Sequence, residues 1–219
     1  MHEVLEYLYK EDPKNRTQET LKKIAADRWS NHGWAEKVEE LTQKLDTVAG
    51  FKRSAYQAMT NLWDLEDPVI TNLEGQEIEV LTSIDGVAMK GYIDRIALDA
   101  DGSVVISDYK TGKVSDPKYV ADDEKWFQLL AYALMLKEAQ QKTTSTLELF
   151  YLSKKVKHTV MVTQENLDNA RQVVVRTRAS IDESCKSGEF ACNVTNLCNW
   201  CYYKKINICP AHRGNSGPR

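Results

Sequence analysis

The sequence predicts a mixed α/β fold: a helical first third, a mixed central sheet flanked by helices, and a small cysteine-bearing segment near the C-terminal end. Three observations predict it. Residues 2–10 and 17–65 repeat apolar side chains at the helical period among Glu, Lys and Ala. From Glu77 onward the period becomes two, in five strand-like runs interrupted by one apolar helical stretch. Four of the five cysteines, Cys192, Cys198, Cys201 and Cys209, fall within eighteen residues of one another.

Each element follows in order. The second helical stretch opens at Thr17, read as a capping box. Strands are expected at 77–84, 87–98, 103–110, 145–153 and 157–163, rich in β-branched and aromatic residues, with Asp99-Ala-Asp-Gly102 as the turn between the second and third. Between the third and fourth, residues 122–140 carry Trp126-Phe-Gln-Leu-Leu-Ala-Tyr132-Ala-Leu-Met-Leu, apolar enough to cover a sheet and long enough to be a crossover. A long amphipathic helix over 164–187 leads to the cysteines. The expected organisation is one domain over 1–210, with a helical part (1–75), a catalytic sheet and helix (76–163) and a helix with the cysteine segment (164–210), followed by a flexible tail at 211–219. No internal repeat is present.

At 219 residues, with 42% hydrophobic and 28% charged residues, the chain can enclose a sizeable core. It has no run of eighteen apolar residues and no signal-peptide pattern, so a cytoplasmic protein with no membrane role is expected. A net charge of -3 carries no global basic signature, so a nucleic-acid surface would be a local patch. Cys198-Asn-Trp-Cys201, with Cys192 upstream and Cys209 downstream, favours metal or iron-sulfur ligation over disulfides. Spacing alone leaves Zn²⁺ and a 4Fe-4S cluster open. Cys185, on the preceding helix, is expected to be a small buried side chain.

The chemistry concentrates in Gly91-Tyr-Ile-Asp94-Arg95 and Ser107-Asp108-Tyr109-Lys110-Thr-Gly112. Phosphodiester hydrolysis needs an activated water, a divalent cation and charge that stabilises the developing anion. Asp94 and Asp108, facing each other across two strands, offer hard oxygen ligands suited to Mg²⁺ or Mn²⁺. Lys110 shares a strand face with Asp108, while Tyr109 turns inward and leaves its carbonyl beside the metal. Gln128 and Tyr132 project from one helix face and could meet a DNA strand. The bland alternative is a surface Asp94–Arg95 ion pair and a polar strand end. Trp200, Tyr202, Tyr203, Lys204 and Lys205 mix aromatic and basic groups, suited to a single strand or to packing around the cysteines. Lys154-Lys-Val-Lys157 reads as a solvated hairpin tip, and His32, His158 and His212 receive no role.

Through Gly91-x-x-Asp94-Arg95, Asp108-Tyr-Lys110-Thr-Gly112 and Gln128-x-x-x-Tyr132, in that order, the chain resembles the PD-(D/E)XK superfamily, specifically RecB-like and CRISPR-adaptation-type exonucleases. The resemblance runs from His2 to Pro210. It implies a restriction-endonuclease-like core and a metal-dependent DNA nuclease, a single-stranded DNA exonuclease of repair, recombination or phage DNA processing. It adds His2, in Met1-His2-Glu-Val-Leu-Glu6, to Asp94, Asp108 and the Tyr109 carbonyl as metal ligands. It makes Lys110 the residue that positions the attacking water, and Gln128 and Tyr132 the residues that orient the strand. Glu74 resembles more loosely an acidic residue ahead of the sheet. Leu197-Cys-Asn-Trp-Cys-Tyr-Tyr and Ile208-Cys-Pro resemble a cluster segment, which implies that Cys192, Cys198, Cys201 and Cys209 hold a 4Fe-4S cluster. Relatives take their first cysteine from a segment ahead of the histidine helix, which implies a further segment before Met1 or Cys192 in its stead. A helicase or recombination protein is the implied partner. The competing function is a non-catalytic DNA-binding or assembly module of a helicase-nuclease complex.

Overall fold

The computed structural model describes residues 1–42, 45–110, 114 and 124–212. Thr111 and Gly112, residues 122 and 123 of the expected crossover helix, and 213–219 of the expected tail lie outside them. Two compact units are present, Met1–Val175 and Arg176–Arg219.

The first unit opens with α1 (His2–Lys10), whose Val4, Leu5, Leu8 and Tyr9 fall on one face and are buried. Buried Arg16 folds back under this helix. It donates to the carbonyls of Tyr9 and Glu11, acceptors that the end of α1 otherwise leaves unpaired, and to those of Pro68 and Thr71 in the turn before β1, at 3.0–3.2 Å. The helical stretch expected over 17–65 is three helices, α2 (Gln18–Asn31), α3 (Trp34–Thr42) and α4 (Leu45–Thr60), then a 3-10 turn at Asn61–Asp64. Thr17 caps α2 by accepting from the Thr20 N–H. Because Thr20, not Glu, stands at the third position, the reciprocal half of the capping box is absent.

Five strands follow: β1 (Leu73–Ile84), β2 (Val87–Leu98), β3 (Val104–Tyr109), β4 (Thr144–Tyr151) and β5 (Val156–Met161), with α5 (Glu124–Gln140) between β3 and β4. The sheet runs in sequence order. The β1–β2, β2–β3 and β4–β5 pairs are antiparallel and β3–β4 is parallel, so α5 is the crossover and the sheet is mixed, as expected. β1 begins four residues earlier than its alternation suggests. Gly75 and the positive φ of Glu77 (49°) interrupt the period there, but Leu73 and Gly75 still pair with Ala97 and Ile96.

Every residue of β3 is buried, because helices cover both faces of the sheet. On one face Trp126, Leu129 and Leu134 of α5 pack with Ile84, Ile93, Ile106 and Leu149, joined by Leu167, Ala170 and Val174 of α6 (Gln164–Ser187). On the other, Leu5, Leu8, Leu21 and Leu62 meet Tyr109, Phe150 and Leu152. Each fully buried side chain of this kind contributes roughly 1.5–3 kcal/mol. Asn61 donates its side-chain amide to the Leu152 carbonyl at 2.9 Å, tying the helical layer to the end of β4. The lysine-rich turn between β4 and β5 is more engaged than a solvated tip, since Lys155 pairs with Asp64 and Lys157 with Glu148.

The second unit holds the rest of α6, a 3-10 turn at Asn196–Asn199, α7 (Tyr202–Lys205) and a 3-10 turn at Pro210–His212, where the tail was expected. No described residue from Arg176 onward is buried. Cys185 is exposed, against expectation, and so are Trp200, at 73%, and Tyr202 and Tyr203. The physical reason is size: so short a segment encloses no apolar core of its own. Among the described residues no helix is long and apolar enough to cross a membrane.

Candidate metal centre

Four elements of the first unit converge at the C-terminal end of β3. The antiparallel register pairs Arg95 with Ser107, which sets Asp94 of β2 opposite Asp108 of β3. From α1, His2 places Nδ1 3.1 Å from Asp94 Oδ2 and donates from Nε2 to the Tyr109 carbonyl at 3.0 Å. Past Tyr109, Lys110 Nζ lies 2.8 Å from Asp108 Oδ2 and donates to Gln128 Oε1 of α5 at 3.3 Å. Gln128 in turn donates to the Tyr132 hydroxyl at 3.2 Å. Of the residues singled out in the sequence, His2, Asp94, Asp108, Tyr109, Lys110, Gln128 and Tyr132 are therefore one contiguous set. Thr111 and Gly112 of the same motif lie outside the described residues.

The surroundings set the protonation of these groups. Burial pushes the Asp108 carboxyl up, and the Asp94 charge adds to it; against the opposing Lys110 ammonium the result is about 6. Burial also raises Asp94, but His2, Asp108 and Lys110 together outweigh it and hold that carboxyl below its ordinary value. The Asp94 carboxylate raises the His2 imidazole, with partial burial opposing. Two like charges this close leave the shared proton on Asp108.

Asp94 Oδ2 and Asp108 Oδ2 are buried, and no donor is aligned with either as a hydrogen bond; the nearby His2 and Lys110 nitrogens approach out of line. Buried carboxylate oxygens with lone pairs left over, beside an imidazole and a backbone carbonyl, suit a hard divalent cation such as Mg²⁺ or Mn²⁺. Among the described residues, one group of three acidic, histidine or cysteine side chains brings its ligand atoms within 4.8 Å of one another: His2, Asp94 and Glu77.

Glu77 is the residue that sequence reasoning missed, and the signal was present. Asp85-Gly86 is a two-residue hairpin loop with positive φ at both positions, 48° and 84°. It fixes Ile84 opposite Val87, and counting back along both strands brings Glu77 opposite Asp94, between the Gln76–Arg95 and Ile78–Ile93 pairs. Burial raises the Glu77 carboxyl, with Asp94 and Glu6 adding. Glu74, the acidic residue weighed instead, pairs with Lys142 away from the site.

Arg95 corrects the bland alternative. It is 1% exposed and pairs not with Asp94 but with Glu66, Nη2 to Oε2 at 2.7 Å. Its guanidinium lies over the rings of Tyr9 and Phe150, and Tyr9 also hydrogen-bonds Glu66. Asp94 and Arg95 thus point apart, one to the site and one into the α1 layer. Gly91 also has a steric role, because a Cβ there would lie 2.7 Å from the ring of Tyr132. The glycine lets that ring lie against β2.

In the second unit, Cys198, Cys201 and Cys209 are half-buried and Cys192 is exposed. The Thr195 N–H points at Cys198 Sγ at 3.4 Å, a donor of the kind that stabilises a ligating thiolate. The described residues do not bring three cysteine thiols as close together as the His2, Glu77 and Asp94 atoms.

A family model described as the PD-(D/E)XK nuclease superfamily matches residues 1–210. Among solved structures, the one titled "Crystal structure of SSO0001" is similar over 95% of this chain and 85% of its own, at 14% identity and a TM-score of 0.40. No curated protein matches the sequence.

Proposed function

The chain belongs to the PD-(D/E)XK nuclease superfamily, and from that premise we propose that it is a Mg²⁺- or Mn²⁺-dependent deoxyribonuclease that digests single-stranded DNA from an end, in repair, recombination or phage DNA processing. Its mixed five-stranded sheet flanked by helices is consistent with the restriction-endonuclease-like core. The observation that carries the reading is the convergence of His2, Asp94, Asp108 and Lys110 from separate elements onto two buried carboxylate oxygens with lone pairs to spare.

In this reading Asp94, Asp108, His2 and the Tyr109 carbonyl hold the cation, with Glu77 as an added acidic neighbour. A bound divalent cation polarises the phosphoryl oxygens and lowers the pKa of water. Lys110, kept between Asp108 and Gln128, holds the attacking water by hydrogen bonding and assists loss of its proton. Gln128 and Tyr132 extend that line of donors along α5 and orient the strand. Metal-dependent release of nucleotides from end-labelled single-stranded DNA tests this. Asp108→Ala and Lys110→Ala are expected to lose at least about a hundred-fold in rate while melting as folded proteins, and full activity in either would sink the assignment.

Cys192, Cys198, Cys201 and Cys209 are proposed to hold a 4Fe-4S cluster, supported by the Cys198-x-x-Cys201 spacing, the donor onto Cys198 Sγ and the lack of any apolar core in this unit. A unit with so little buried surface gains most from an inorganic staple. Anaerobic purification should yield a brown protein with broad visible absorption that Cys198→Ser abolishes; a colourless, zinc-loaded protein would refute the cluster.

A further inference from the structure

Between the N-terminal helices of the first unit lies a groove of about 760 Å³. Its wall is aromatic, with Trp29 from α2, Trp34 at the start of α3, and Phe51 and Tyr56 from α4. The rings of Trp29 and Phe51 stand 6.4 Å apart between centroids, tilted by 37°, and Trp34 and Phe51 are exposed. Its rim is cationic, carrying Lys22, Arg28, Lys52 and Arg53, and Lys52 sits 5.1 Å over the Trp29 ring. Among the described lining residues one carboxylate, Glu3, opposes them, and it already faces Arg28 at 3.6 Å and His32 at 3.4 Å. His2, the side chain that touches Asp94, is also among the lining residues.

These features select one kind of occupant. Flat aromatic faces beside a rim on which lysine and arginine outnumber carboxylates match a chain that alternates apolar planes with negative charges. A base-paired duplex keeps its base faces stacked inside and has nothing to offer Trp29 or Phe51. Resting on the nuclease reading above, we propose that this groove binds a single DNA strand, stacking unpaired bases on Trp29, Trp34 and Phe51 while Lys22, Lys52 and Arg53 neutralise its phosphates, and that the strand reaches the Asp94–Asp108 pair past His2. The groove thereby selects single-stranded over duplex substrate.

Full-length protein in EDTA, titrated into a labelled oligothymidylate, reads strand binding without cleavage. Wild type is expected to bind, Trp29→Ala to bind about ten-fold more weakly, and Lys52→Ala/Arg53→Ala to lower the dependence of log K on log salt by about 1.4, at about 0.7 for each phosphate no longer neutralised. Lys52 and Arg53 are exposed, so the double variant keeps its fold, as a melting curve would verify. Unchanged affinity and salt dependence in that variant overturns the proposal, and so does blunt duplex bound as tightly as the strand. Self-association of wild type that Trp34→Ala abolishes, with strand affinity untouched, would assign the groove to a second copy and also overturn it. Failure of the nuclease reading is a separate result, undiminished cleavage by Asp108→Ala. Cleavage that requires Asp108 in a protein whose groove variants bind normally removes the groove alone.

Discussion

Asp108 is a buried carboxyl whose proton leaves only at about pH 6, so its protonation couples folding to the readiness of the site for a cation. Its folded value lies above the ordinary 3.8, so the folded chain binds this proton more tightly than the unfolded one. The stabilisation is complete below the ordinary value and is lost as pH rises through about 6. In EDTA, the difference in unfolding free energy between wild type and Asp108→Asn is therefore expected to shift against wild type as pH rises from about 4 to about 7. Denaturant titrations across that range check it, and a flat difference would contradict the assignment of the proton to Asp108. The identity of this residue was legible because Asp-x-Lys at a strand end is a local pattern. Its shifted proton was not, since that depends on how deeply β3 is buried and on which carboxylate comes to face it.

At the scale of elements, the hairpins decide which acids meet. The Asp99–Gly102 turn, where Gly102 N–H bonds the Asp99 carbonyl, sets the β2–β3 register that opposes Asp94 and Asp108. The Asp85-Gly86 loop sets the β1–β2 register that brings Glu77 to Asp94 and His2. Glu77 adopts a left-handed backbone conformation, φ 49°, at a cost of about 1–2 kcal/mol for a residue with a Cβ. Such an outlier beside a site points to a role for its side chain. Glu77→Gln is expected to raise the Mn²⁺ or Mg²⁺ concentration for half-maximal cleavage about ten-fold with little change in melting temperature. An unaltered metal titration would reduce Glu77 to a bystander. The strands were readable from their alternation, and both registers from their loops, but β1 hid its first four residues because Gly75 and Glu77 break the period that defines a strand in sequence.

At the scale of the whole molecule, the site exists because two layers close on the C-terminal end of β3. His2 comes from the α1 layer, Gln128 and Tyr132 from the α5 layer, and the carboxylates from the strands between them. Leu8→Ala and Leu147→Ala remove fully buried side chains from opposite layers, and each should cost about 2–5 kcal/mol. Where both variants remain folded, Leu8→Ala should weaken the metal dependence of cleavage more, because α1 carries His2 while β4 carries no ligand. Equal metal titrations would mean that α1 does not position the site. Arg95 belongs to the same scale: buried between Tyr9, Phe150 and Glu66, it anchors β2 to the α1 layer so that its neighbour Asp94 faces the other way. The sequence by itself determined the element order, the mixed α/β class, the Asp94, Asp108-x-Lys110 and Gln128-x-x-x-Tyr132 groups and the family they belong to, because each is written in residues close together in the chain. Only the tertiary structure decided that Arg95 is buried away from Asp94, that Glu77 joins His2, that Cys185 and Trp200 lie exposed, and that Trp29, Trp34 and Phe51 share a groove with His2. Those facts depend on which surfaces meet after folding, and local pattern carries no record of a neighbour that is distant in the chain.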